Sequence, residues 1–337
     1  MPATLTTHQQ ALLTKDMYKT QFDFAKETKP VRKEIFTIET NVTGQGDKFT
    51  QLLGTSGVNR RTAENQTINY HAVEEGHTSR GRLHVHDDGI FFSYETAKFS
   101  VKFQDIVKKF AKTMSEDLEY KKEQMAADVF NHGGDLSGYY VFDGSYIGET
   151  APYANLPYDG VPLFNLFGNA RTTKGGGTYY NSVAGISLDT TNYETILELV
   201  GDTNAVTELD RPSDASPDTI LTQTLSDYNY SVRILVSSGL SGVDLNDVNP
   251  HNQNTQFAMF NMRPILWRKY LNDTSTPFYV GKRQDPTWVF MEDKTPEFNF
   301  FRDMDNGGYK ANMLTCFGVH LKPGAPFRWA RGGGSSA

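Results

Sequence analysis

His84, His86 and Asp88 alternate within the run RLHVHDDGIFF, and alternation on an extended strand puts all three side chains on one face. Two imidazoles and a carboxylate so placed have the donor set of a divalent-metal site. Against this, Asp87-Asp88-Gly89 is ordinary turn composition, and histidines on a half-exposed ribbon serve more often as solvated or contact residues. The other chemical templates fail on spacing. Lys174 precedes Gly175, Gly176 and Gly177, whereas a phosphate loop needs its lysine after the glycines, so this run reads as a glycine-rich turn. Gly239-Leu240-Ser241-Gly242-Val243 lacks the final glycine of a nucleophile elbow. Asp303 to Gly308 begins like a calcium loop, but its twelfth position is Leu314 rather than a bidentate glutamate. Cys316, the single cysteine, lies in an apolar strand pattern without an evident histidine partner and reads as a small core residue. We expect no catalytic residue, no metal and no cofactor.

The elements around these residues belong to a chain of 337 residues, long enough for two subdomains with real cores. Its net charge of -7 argues against a dedicated nucleic-acid binder, while passive enclosure of nucleic acid stays open. One cysteine excludes an internal disulfide framework and fits a reducing compartment. The N-terminus lacks the apolar run of a signal peptide, and no window approaches the roughly 18 apolar residues of a membrane span. The expectation is a soluble protein without membrane contact. Aromatic residues make up 12%, including 17 Tyr, which suits surfaces buried against partners.

Residues 1–33 read as a polar arm with one short amphipathic helix, ordered mainly by neighbours. The segment from Ile68 to Phe92 reads as a long hairpin whose sparse apolar residues cannot bury both faces, so it must project and be covered by another chain. Phe103, Ile106, Val107, Phe110, Met114, Leu118, Met125, Val129 and Phe130 recur at helical spacing, predicting an amphipathic helix over about 101–131, stopped by Gly133-Gly134. Its lysines and glutamates read as a solvated face. A helix is expected after Asp189 and another over Leu225 to Ser237, and strands in FAMFNMRPILW, FYVGK, TWVFME and YKANMLTCFGVHL complete an α+β pattern. Residues 331–337 read as a flexible tail outside the fold.

Between the helices lies DGVPLFNLFGNARTTKGGGTYYNS. It joins a turn at Asp159-Gly160, an apolar anchor at Leu163-Phe164, the glycine run 175–177 and Asn181. The order of these motifs, with Pro217-Asp218-Thr219-Ile220-Leu221 and Asp247-Val248-Asn249 further on, resembles the major capsid proteins of tailed bacteriophages, over most of residues 35–330. Two departures stand out. The histidine that often follows Leu-Phe is replaced here by Gly168-Asn169-Ala170. No lysine occurs between Lys48 and Lys98, so an isopeptide cross-link from a hairpin lysine is not expected.

The resemblance implies a Hong Kong 97-like α+β capsid fold. Its expected parts are an arm (1–33), a discontinuous peripheral domain (34–50, 92–135 and 281–330), an extended loop (51–91) and an axial domain (136–280). It further implies a structural, non-enzymatic subunit forming pentamers and hexamers of an icosahedral shell around double-stranded DNA. That shell would be assembled in the host cytoplasm and found in the virion. Separate scaffolding, portal and cement proteins are possible partners, and DNA contact is expected to be non-specific. Candidate inter-subunit contacts are Arg60, Arg61, Arg80, Arg82, His84 and His86. An encapsulin-like cellular compartment is the alternative within the fold, and a hydrolase with a dispersed active site the alternative outside it.

Overall fold

A computed structural model describes residues 12–19, 30–40, 48–53, 74–81, 83–100, 103–134, 161–207, 209–236, 261–273, 275–292, 296–303 and 307–333. The first part of the chain forms helix α1 (residues 12–19), the turn α2 (Arg32–Ile35), β1 (Phe36–Thr40), β2 (Lys48–Leu53), β3 (Glu74–Arg80) and β4 (His84–Phe92). Helices α3 (Tyr94–Phe99) and α4 (Phe103–Asn131) follow, then three short strands, β5 (Arg171–Thr172), β6 (Thr178–Tyr179) and β7 (Ser182–Val183). Next come α5 (Thr190–Glu198), β8 (Thr219–Thr222), α6 (Leu225–Val236), β9 (Arg263–Leu266) and β10 (Phe278–Gly281). The remaining strands are β11 (Asp285–Glu292), β12 (Glu297–Arg302), β13 (Tyr309–Leu321) and β14 (Trp329–Gly332).

The helix starts follow local chemistry. Asp189 caps α5 by accepting from the Asn192 amide at 2.7 Å, and Thr224 accepts from the Asp227 amide at the start of α6. Helix α4 buries Phe103, Val107, Ala111, Met114 and Leu118 along one stripe, as its spacing predicts. It stops where Gly133 lets the chain turn back, and the Gly133 carbonyl then accepts from the Phe164 amide at 2.8 Å. A Cβ on Gly133 would lie 2.4 Å from the Phe164 ring, so only glycine fits this approach.

Strands β1, β4, β11, β12 and β13 form one sheet, centred on β13. One edge of β13 pairs with β4; along the other run β11 and then β12, with Glu292 opposite Phe317 and Glu297 opposite Leu314. The first half of β13 alternates, with Tyr309, Ala311 and Met313 inward and Lys310, Asn312 and Leu314 outward. From Phe317 onward every residue is buried. The reason is that the root of β3 crosses the outer face there: Ser79 Oγ lies 2.9 Å from His320 Nε2, and Gly81 touches the His320 side chain.

The hairpin divides differently from the sequence expectation. β3 pairs with β2, Lys48 standing opposite Arg80, whereas β4 joins the large sheet from Phe92 opposite Tyr309 to His84 opposite Phe317. Ile90 and Phe92 give β4 an apolar face that packs on the core; in β3, EEGHTSR offers none. Residues 84–91 are thus sheet rather than extended loop, and Asp87-Asp88-Gly89 sits inside a strand rather than a turn.

The second sheet orders as β7-β14-β10-β8-β9, with α5 and α6 packing their buried sides against it. Here β14 corrects the expected tail. Arg331 is buried and pairs with Asp273, and a Cβ on Gly332 would lie 2.3 Å from the Phe278 ring. The first glycine of the supposed linker is therefore a packing glycine. The arm also differs, because α1 docks on its own chain: Leu13 and Met17 are buried in the main core, and the Phe298 amide donates to the Tyr18 hydroxyl.

Candidate assembly site

The segment singled out by the sequence forms the joint between the two sheets. Leu163 and Phe164 are buried in the main core, Phe164 packing on Phe130 and Tyr279. Asn181 holds this anchor to the chain's end. Its side-chain amide donates to the carbonyls of Leu163, Pro326 and Trp329 at 2.8–3.0 Å, while its Oδ1 accepts from the Asn165 amide. The Arg331 amide donates to the Asn181 carbonyl. Replacing Asn181 with alanine leaves buried carbonyls and one amide unpaired, and is expected to cost toward the upper end of about 1–3 kcal/mol in urea unfolding. A loss below about 0.5 kcal/mol would mean that solvent reaches the joint.

Gly175, Gly176 and Gly177 make a turn between β5 and β6, with Gly176 in the left-handed region at φ 96°. Asp210, itself left-handed at φ 55°, clamps the turn by accepting from Thr173 Oγ1, the Gly177 amide and Tyr179 Oη. Partial burial works upward on the Asp210 carboxyl, but these hydrogen bonds outweigh it and hold the group below its ordinary value. Beside the clamp, Lys174 Nζ donates to the Glu75 carbonyl on β3 at 2.7 Å. The glycine turn therefore braces the hairpin.

The solvated face expected for α4 is only half present. Lys122 and Glu123 are buried, and with Glu119 they surround the fully buried guanidinium of Arg32 from α2 and Glu292 from β11. Trp267 Nε1 donates to Glu123 at 2.8 Å. Burial raises Glu123 despite Arg32, whereas at Glu292 the upward push of burial is outweighed by Lys122 and Arg32, so that carboxyl sits low. The cluster ties α2, α4, β11 and the residue after β9 together at one point.

Of the expected contact residues, Arg60, Arg61 and Arg82 lie outside the described residues, as do Asp159 and Gly160 of the family motif. Arg80 ends β3 opposite Lys48. His84 and His86 lie on β4, where His86 stacks on Phe317 with ring centroids 4.0 Å apart. Among the described residues no group of three His, Cys, Asp or Glu is arranged to hold a metal. The Ser79 and His320 pair is buried, so the serine oxygen faces packing rather than open space. Asp303 pairs with Lys310 at 3.0 Å. Among the described residues no helix is long and apolar enough to cross a membrane. Sequence reasoning missed Arg32, Glu292 and Asp210, whose partners lie far away along the chain, and Asn165, which bonds within the motif itself.

No family model and no curated protein matches this sequence. Solved structures do match its fold. The capsid of a native GTA particle superposes with a TM-score of 0.53 at 11% identity, covering 91% of this chain and 90% of that one. The capsid of cyanophage P-SCSP1u gives a TM-score of 0.50 at 8% identity, over 90% and 88%. The chain has the tailed-phage capsid fold, of the Hong Kong 97 type.

Proposed function

We propose that this chain is the structural subunit of an icosahedral phage head, assembling as pentamers and hexamers into a shell around packaged double-stranded DNA. The observation that carries this is the arrangement itself: a long helix on a five-stranded sheet, a separate two-stranded hairpin braced by β13 and by the β5–β6 turn, and fold neighbours that are capsids over nine-tenths of the chain. In this reading α4 and the large sheet make the peripheral domain, β5 to β10 with α5 and α6 the axial domain, and β2 with β3 the extended loop. The subunit is not an enzyme. Scaffolding, portal and cement functions belong to other chains, assembly takes place in the host cytoplasm, and the product resides in the virion.

Arg60, Arg61, Arg80 and Arg82 then meet acidic patches on neighbouring copies, each pair worth little unless desolvated. Paired charge reversal, Arg80→Glu with Arg82→Glu, is expected to leave a folded 37.8 kDa monomer that no longer sediments as particles. Wild-type particle yield from that variant would remove these arginines from the interface. Wild-type particles filled with protein instead of nucleic acid would favour the cellular compartment.

A further inference from the structure

We infer that Tyr120, Tyr270, Arg268 and Lys269 form a contact site for the sugar-phosphate backbone of nucleic acid. The inference deepens the shell reading, on which it rests for the identity of that polyanion as packaged DNA. The loop after β9 lies along the second half of α4. Trp267 Nε1 holds Glu123, Asn131 Nδ2 donates to the Tyr270 carbonyl at 2.9 Å, and the Asn272 amide donates to Asn131 Oδ1 at 3.0 Å. This seats Tyr270 against Tyr120 with ring centroids 5.4 Å apart, and Trp267 backs Tyr270 at 6.5 Å. Tyr120 is nonetheless 56% exposed. A ring already fixed by its neighbours loses little freedom on binding and offers a sequence-tolerant stacking platform.

Arg268 and Lys269 project from the same turn, exposed and in no ion pair among the described residues. That contrasts with Arg32, Arg283, Arg328 and Arg331, each of which faces a carboxylate. Both cations stand beside an exposed tyrosine on the surface of a chain of net charge -7. Lys269 also holds φ at 73°, a conformation that costs a non-glycine residue roughly 1 kcal/mol or more. Glycine would sit there without that cost, so the strain points to a use for the lysine side chain. Up the exposed face of α4, Lys109 extends the strip by about 16 Å, the rise of the eleven helical residues to Tyr120, while Lys112 on the same stretch pairs with Glu116 at 3.9 Å. Arginine can grip a phosphate through two donors, lysine supplies a point charge, and the ring covers sugar or base.

The test is fluorescence anisotropy of the full chain with a labelled mixed-sequence DNA duplex across a salt series. Wild type is expected to bind with an affinity that falls as salt rises. In Arg268→Gln with Lys269→Gln, the slope of log affinity against log salt should shrink by about two, one for each cation removed. Tyr120→Ser should weaken binding with the slope unchanged, and Arg263→Gln, an exposed arginine paired with Glu34, should bind as wild type. Unchanged binding in the double variant overturns the site, as does an equal loss in Arg263→Gln. Displacement of the duplex by an equimolar poly-glutamate peptide would assign the patch to an acidic protein segment instead. Particle formation is scored separately by microscopy, so a failure to assemble bears on the shell reading and leaves the binding result intact.

Discussion

Phe130→Ala is expected to lower folding stability by about 3–5 kcal/mol, read as a reduced urea midpoint with an unchanged slope. Phe130 is fully buried near the end of α4, with Tyr279, Trp288 and Trp329 at 5.0–5.2 Å and Trp267 and Phe164 at 6.0–6.1 Å. The size of the effect depends on whether these rings can move into the space. Three of the five are pinned: Trp288 Nε1 donates to the Ala325 carbonyl at 2.9 Å, Trp267 Nε1 to Glu123, and Tyr279 Oη to the Phe130 carbonyl at 3.0 Å. The cavity therefore stays open and its full cost is felt. Phe301→Ala on the outer sheet face, where the ring is 43% exposed, should cost far less. Similar losses at the two positions would show that the rings around Phe130 relax freely.

Arg32→Met should be of similar size, about 3–5 kcal/mol, for an electrostatic reason. The guanidinium is fully buried and faces Glu119 at 2.7 Å, Glu292 at 3.0 Å and Glu123 at 3.3 Å. Without it, three carboxylates share one buried site with Lys122 alone. Burial then dominates at Glu123, whose folded-state pKa stays above the ordinary glutamate value of about 4.3, and Glu292 keeps only Lys122 against burial, so its pKa moves up. A carboxyl raised in the folded state contributes stability that is present below its unfolded pKa and lost as pH rises through the folded one. The variant should accordingly regain stability as pH falls from 7 toward 5. A variant whose deficit stays constant over that window would show that packing, not charge, is what Arg32 supplies.

The long helix, the Asp189 cap and the helix from Leu225 were legible in the sequence because each is local: a 3.6-residue period, a capping side chain, a clean stop. What depends on distant partners was not. Nothing in HVHDDGIFF says whether it pairs with residues before it or with β13, more than 200 positions later; the choice is made by Ile90 and Phe92 seeking the α4 core. Lys122 and Glu123 look like any solvated pair until Arg32 and Glu292 arrive from the two ends of the chain. Arg331 and Gly332 look like a linker until Asp273 and Phe278 are placed beside them. β12 was missed because EFNFFR is short and bounded by charge at both ends, although Phe298 and Phe300 alternate inward. In the joint, Leu163 and Phe164 are buried in the core, yet the bonds Asn181 makes depend on Pro326 and Trp329 and could not be read from the motif.

Electron cryo-microscopy of the purified full-length protein tests the shell reading most directly. A capsid subunit gives closed icosahedral particles with fivefold and sixfold capsomers, and subunit density in which α4 lies on the five-stranded sheet while β2 and β3 reach a neighbouring copy. A protein that stays a 37.8 kDa monomer at every concentration and salt condition tried, with no capsomers or shells, would contradict it.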